Sequence, residues 1–284
     1  MSSPAVVIRG LWQSSHPGPT CVVTALALAL GVAAGLELWR MLLLAAAVFA
    51  GQLSIGISND AIDAARDRAV GRTDKPLARG DVRIRTAWIA AVGCAIVALV
   101  LSAPLGVGML VAHAVAVISG WAYNAPLKAT AFSVVPFLVT FGLFPSLATL
   151  SAAEPRFAAP WAFVAGAALG AAVHLSNVLP DLDDDRATGI RGLPHRIGGP
   201  ASAVAAAAGV IAGALAVLLG PVGGRVGDVS GLSWVFFVAV SVVAVLSAVV
   251  ALRGAPGRIV FRLVMLAALL LAAQLVATGG ALAA

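Results

Sequence analysis

The chain has 284 residues, 61% of them apolar and only 11% charged, with a mean hydropathy of +1.03. A soluble domain carries about 25% charged residues, so a secreted disulfide scaffold, a nucleic-acid module and an ordinary cytosolic enzyme are all excluded, and lipid is the main solvent. The net charge of +6 and the pI of 10.6 fit membrane topology rather than nucleic-acid binding.

Residues 1–20 are polar, contain Pro17 and Pro19, and lack a charged segment running directly into an apolar one. No cleavable signal is expected, and the first apolar run should stay in the membrane. A span needs about 20 mostly apolar residues, and nine such runs follow: 21–36, 40–58, 86–103, 105–122, 130–150, 158–179, 200–220, 230–252 and 258–282. Cys21 and Cys94 read as small apolar packers without a metal spacing. Abundant Ala and Gly suit close helix contact in lipid. Alternating the nine spans places 15 of the 18 Lys and Arg on the side of the N-terminus, leaving Arg40, Arg156 and Arg225 opposite. The N-terminus is therefore expected in the cytoplasm and the C-terminus outside, in the cell membrane.

Nine of the twelve acidic residues fall in the two long loops on that cytoplasmic side, a placement the topology rule does not require. The first cluster reads SNDAIDAARDRAVGRTDKP (58–76) and the second SNVLPDLDDDRATGIRGLP (176–194). At an offset of 118 they share eight identities, including Asn59/Asn177, Asp63/Asp181, Asp67/Asp185, Arg68/Arg186 and Gly71/Gly189. Duplication and convergence on one binding task both account for this.

Asn59, Asp63 and Asp67 are spaced i, i+4, i+8, so they share one helix face at successive turns; Asn177, Asp181 and Asp185 repeat the pattern. Asp60 and Asp184 lie one position off each ladder, and Pro180 is expected to kink the sixth span. Stacked carboxylates repel, and a divalent cation is the natural compensation. Mg²⁺ takes one or two carboxylates and completes its shell with water and phosphate oxygens. Two facing ladders would hold two Mg²⁺ ions and clamp a diphosphate between them. The candidate metal ligands are Asn59, Asp60, Asp63, Asp67, Asp181, Asp184 and Asp185. Arg66, Arg68, Arg72 and Lys75 follow the first ladder and Arg186, Arg191 and Arg196 the second, placed to neutralise diphosphate oxygens. The plainer alternative makes these cations topogenic charges paired to nearby aspartates in water.

NDxxDxxxDR closing the second span and DxDxDRxxGIR closing the sixth, with His16–Thr20 (HPGPT) before the first, resemble the UbiA superfamily of intramembrane prenyltransferases over nearly the whole chain. The resemblance implies an all-α integral membrane fold, a single domain over 1–284, with nine transmembrane helices around a central cavity and motif loops at about 59–85 and 177–199. It also implies Mg²⁺-dependent ionisation of an isoprenyl diphosphate and transfer of the allylic group to an acceptor, most often a hydroxylated aromatic or quinone precursor. Asp63, Asp67, Asp181 and Asp185 carry over as catalytic carboxylates, and Asn59, Asn177, Arg68, Arg72, Lys75, Arg186 and Arg191 as substrate contacts. A family Tyr and Lys map to Tyr123 and Lys128, here one residue further apart than in YxxxK, with Asn124 an additional polar contact. Lys75-Pro76-Leu77 stands where many members have Arg-Pro-Leu, which keeps the charge and loses the bidentate fork.

Polar residues at membrane depth are further candidates: Gln52 towards the acceptor pocket, His174 beside Asn177, and less so His113. Gln274 reads as a helix–helix hydrogen bond. Three classes of function stand beside one another: a prenyltransferase, a membrane terpene cyclase using the same ionisation, and, more distantly, a cation-coupled transporter. Aromatics lining a deep cavity would favour the cyclase; the overall 6% aromatic content opposes it.

Overall fold

The computed structural model of the protein describes residues 3–187, 189–254, 258–279 and 282–283, apart from the side chains of Asp184 and Ala187. Among the described residues the chain forms α-helices and short 3-10 turns, with no strand beyond one isolated bridge between Ala158 and Ala283. The N-terminal half comprises α1 (Pro4–Ser14), α2 (Pro17–Ala33), α3 (Leu38–Ala69), the short α4 (Pro76–Arg79), α5 (Ile84–Ser102), α6 (Val107–Asn124) and α7 (Val135–Thr149). The C-terminal half comprises α8 (Pro160–Val178), the short α9 (Leu182–Ala187) and α10 (Leu193–Ile197), then α11 (Gly199–Leu219), α12 (Gly231–Arg253) and α13 (Ile259–Thr278).

The protein is an integral, multi-pass membrane protein. Each of the nine expected runs overlaps one helix, but among the described residues seven helices are long and apolar enough to cross a bilayer: α3, α5, α6, α8, α11, α12 and α13. The pair α1–α2 would make an eighth, bent by 65°, and α7 is shorter at 15 residues. The bend follows from sequence. Pro17 cannot continue α1, and His16 turns the chain with φ 54°, a left-handed conformation that costs a non-glycine residue about 1–3 kcal/mol.

The long helices close into a ring: α2 packs on α3, α3 on α5 and α6, α6 on α7, α7 on α8, α8 on α11, α11 on α12, α12 on α13, and α13 returns to α2. Small residues set the tightest contact. A Cβ on Gly166 or Gly170 of α8 would lie 2.1 Å from Phe141 O or 2.5 Å from Phe137 O of α7, so the two backbones touch only because both positions are glycine. This leaves the aromatic side chains of α7 free to face inward.

The repeat seen in sequence is a repeat of backbone. After each ladder the helix ends on a glycine with positive φ, Gly71 (70°) and Gly189 (84°). The next amide reaches back to the carbonyl of the ladder's last aspartate: Arg72 N to Asp67 O and Ile190 N to Asp185 O, both 2.9 Å. A short helix follows in each loop, α4 and α10, and each ends on a second positive-φ glycine, Gly80 and Gly198, again 118 residues apart.

Candidate active site

The first ladder is the C-terminal extension of a single 32-residue helix, expected to leave the membrane near residue 58 but continuous to Ala69. At 1.5 Å per residue α3 is about 48 Å long, well beyond the ~30 Å hydrocarbon core. Asn59, Asp63 and Asp67 face a central cavity, as their spacing requires. Lys128, on the 3-10 turn Leu127–Ala129 after α6, pairs with Asp63 Oδ1 despite the extra residue between it and Tyr123. Burial pushes the Lys128 ammonium down, and Asp63 opposes that shift. Asn59 donates to Asn124 Oδ1 (2.9 Å), while Asn124 donates to Ile55 O and Ser58 Oγ. Asn124 thus fixes the amide of Asn59 with its nitrogen turned towards α6.

The second ladder is built on a broken helix. Leu179–Asp181 is a 3-10 turn at Pro180, so Asn177 ends α8, Asp181 sits in the turn, and Asp185 belongs to α9. Burial raises the Asp185 carboxyl to about 6. His195 of α10 lies 3.4 Å from Asp185 Oδ2, and burial pushes that imidazole down. The guanidinium of Arg66 joins the two ladders: it stands 3.0 Å from Asp63, 3.9 Å from Asp67 and 3.9 Å from Asp185. Carboxylates 118 residues apart in sequence thereby surround one cation.

Below this mouth lies a cavity of about 480 Å³, within the size range of small-molecule sites. Gln52, Tyr123, Asn124, His174 and Asn177 line it, together with Lys75 and Arg72 at the rim. His174 contacts Ser133 Oγ through Nε2 (3.0 Å) and stacks near Phe137, ring centres 4.8 Å apart. Tyr123 meets Phe137 edge-on at 4.9 Å, and Phe137, Phe141 and Phe144 continue the aromatic wall along α7.

The sequence profile of the UbiA prenyltransferase family matches residues 20–270. The chain belongs to this family. No curated protein sequence matches it. Among solved structures, the apo form of a UbiA homologue from Aeropyrum pernix K1 is similar with a TM-score of 0.76 at 19% identity, covering 92% of this chain and 98% of that one. A UbiA homologue from Archaeoglobus fulgidus bound to GPP and Mg²⁺ is similar at 0.71 and 15% identity, covering 94% and 98%. A digeranylgeranylglyceryl phosphate synthase is similar at 0.65 and 14% identity, covering 96% and 98%. At these identities the likeness is one of fold; the family assignment identifies the chain as a prenyltransferase.

Within this family member several expected site residues stand elsewhere. Asp60 lies about 100° around α3 from the ladder face and off the cavity wall: its Oδ1 accepts from His16 Nε2 (3.1 Å) and Lys75 Nζ (2.7 Å). It anchors those two cavity-lining side chains to α3. Arg68 and Arg186 also face away. Arg68 donates to Leu77 O (2.9 Å) and Arg186 to His195 O (3.3 Å), each nine residues on, so the matched arginines clamp the matched loop helices. Arg191 is off the cavity wall, with its carbonyl accepting from Arg196 Nε. Arg72 reaches the rim but is held bidentate by Asp74 (2.8 Å twice), which raises the guanidinium and keeps Asp74 well below the usual carboxylate range. The Asp184 side chain lies outside the described residues. His113 bonds Ser102 Oγ (2.8 Å) and packs on Gly51, away from the cavity.

The sequence reading left His195 and the α7 aromatics unmarked and did not separate Arg66 from its basic neighbours. Its i, i+3 spacing from Asp63 was the available signal for Arg66; nothing local marks His195, which folds back from another helix.

No group of three His, Cys, Asp or Glu side chains converges as a metal site among the described residues. The donor chemistry nonetheless fits Mg²⁺, which needs only one or two carboxylates per ion beside water and phosphate oxygens. Hard oxygen donors from both ladders line one mouth, and Arg66 and Lys128 supply the balancing charge between them.

Proposed function

We propose that the protein ionises an isoprenyl diphosphate at the mouth between the two ladders and transfers the allylic group to an acceptor, a hydroxylated aromatic or quinone precursor. The observation that carries this reading is the shared cluster, in which carboxylates of both ladders meet around Arg66 directly above a deep apolar cavity. Asn59, Asp63 and Asp67 on one side and Asp181, Asp184 and Asp185 on the other would hold two Mg²⁺ ions. When bound, the metal stabilises charge on the departing diphosphate. The Archaeoglobus homologues bound to GPP or DMAPP with Mg²⁺ support this choice of ligands.

The chain's own groups do the rest. Lys128 and Arg66 leave the carboxylates for diphosphate oxygens, so positive charge is already in place where negative charge develops. Lys75, held by Asp60 and loaded at the rim, serves the same oxygens as a point charge. Apolar walls exclude water from the allylic cation, and the faces of Tyr123, Phe137 and Phe141 stabilise it. An aromatic acceptor would stack on the same wall with Gln52 and His174 as its polar contacts. The strong excess of Lys and Arg on the loop side supports a cytoplasmic mouth and N-terminus, with the C-terminus outside, in the cell membrane.

The aromatic stripe also favours a second reading, in which the cation cyclises on its own tail. Detergent-purified protein with Mg²⁺ and radiolabelled donors distinguishes the two. Release of diphosphate that requires Mg²⁺ and vanishes in Asp63→Ala is expected, with a prenylated product that forms only when acceptor is added. A hydrocarbon or alcohol formed from donor alone would establish the cyclase. Absence of both release and diphosphate binding would sink the enzyme and bring forward a cation-coupled transporter.

A further inference from the structure

The cavity is much deeper than the diphosphate site needs. It follows one face of α8 from Asn177 to Trp161, sixteen residues or about 24 Å, and it is bounded along the same depth by α13 from Phe261 to Leu275. The lower half is apolar, walled by buried side chains such as Leu30, Val217, Leu271 and Leu275. This suits a hydrocarbon tail and offers no charged partner to an acceptor.

The far end is closed by identifiable parts. Trp161, in the first turn of α8, lies against Gly220 at the end of α11: a Cβ built on Gly220 would fall 2.2 Å from the indole. The chain after α13 returns beneath it. Ala159 N donates to Leu282 O (2.7 Å), Ala158 bridges Ala283, and the Leu282 side chain is buried at the cavity's end. An isoprene unit contributes four chain bonds of ~1.5 Å and spans on the order of 5 Å in zigzag. The depth therefore holds just under five units, and about four once the diphosphate occupies the Asn177 end.

Resting on the prenyl-diphosphate reading of the site, we propose that Trp161, backed by Gly220 and the Leu282 strap, is the floor that sets donor length, and that the donor is an allylic diphosphate of three to four isoprene units. The tail of such a donor ends on the indole; a fifth unit has to displace it.

The test compares kcat/KM for Mg²⁺-dependent diphosphate release from donors of two, three, four, five and nine units with full-length purified protein. The two-unit donor, whose tail stops short of Trp161, is the internal reference. Wild-type protein should peak at three or four units and drop about tenfold or more at five. Trp161→Ala should raise the five-unit to two-unit ratio by a similar factor, and Trp161→Phe should fall between. Should Trp161→Ala not fold, Val217→Phe narrows the same end and should lower the four-unit to two-unit ratio. Equal use of four-, five- and nine-unit donors by the wild type, or ratios unmoved by these substitutions, would overturn the floor. Release from no donor at all would instead remove the site reading on which it rests.

Discussion

The two ladders share a motif, a helix cap and an arginine clamp, yet they are held in different ways. The first rides on unbroken α3 and is neutralised from several directions, by Lys128 on Asp63, Arg66 on Asp63 and Asp67, and Lys75 with His16 on Asp60. The second hangs from the break at Pro180. Where the first has Asp60 and Lys75 the second has Val178 and Leu193, and its base is fastened by an apolar cluster of Val178, Leu179, Leu182, Ala203 and Val260. Its Arg186 pairs with Asp183, whose side chain is 97% exposed. The first ladder is anchored by charge and by an apolar cluster that includes Ile57, Ala61, Ala64 and Leu77, the second mainly by packing. Burial raises a carboxyl in each half, Asp67 in the first and Asp185, to about 6, in the second, so each keeps a group ready to ionise for a cation.

Removing a ligand from either half tests whether both are needed. Asp63→Ala and Asp181→Ala should each lower kcat for diphosphate release about 10³-fold, near 4 kcal/mol of lost charge stabilisation. A much smaller loss in one of them would show that the halves do not act together. Next comes the bridge: Arg66→Gln should cost about 10²-fold. Arg186→Gln, on a mostly exposed pair worth about 0–1 kcal/mol, should cost about fivefold at most. Making the second ladder continuous like the first stands between these two in size. Pro180→Ala should lower kcat about tenfold by shifting Asp181 and Asp185 relative to Asp63, without lowering Tm.

The smallest effect is on pH dependence. Burial holds Asp185 at about 6 against an ordinary 3.8. Between those values the metal-free fold binds more protons than the unfolded chain, so the stability from this group is present at low pH and lost as pH rises through about 6. Mg²⁺ takes the ionised form. Its addition should therefore raise Tm by about 2–4 °C more at pH 7.5 than at pH 5, and Asp185→Asn should shrink that difference, with buried Asp67 supplying the remainder.

The sequence was most legible where spacing alone sets geometry. The i, i+4, i+8 pattern put Asn59, Asp63 and Asp67 on one face, and proline at 180 marked the break. Hydropathy located every long helix, but it could not tell that α7 would be short or that α3 would run on past residue 58. Arginines were the least legible group. Arg66, Arg68 and Arg72 lie within seven residues, yet one bridges the ladders, one clamps a carbonyl and one is spent on Asp74. Their reach exceeds a helical turn, so sequence position does not fix their partners. Asp60 misled for a related reason: it sits inside the motif but on another face.

The brevity of α7 has a consequence for the surrounding lipid. Fifteen residues rise only about 22 Å, some 8 Å less than a hydrocarbon core. A short span is accommodated by thinning the bilayer or drawing polar neighbours inward, at fractions of a kcal/mol per Å. The segment joining α6 to α7, which carries Lys128, is the polar neighbour at one end. With α7 as a span, bilayer thickness is expected to act on the part of the ring that pairs with Asp63, and kcat in vesicles of differing acyl-chain length would measure it.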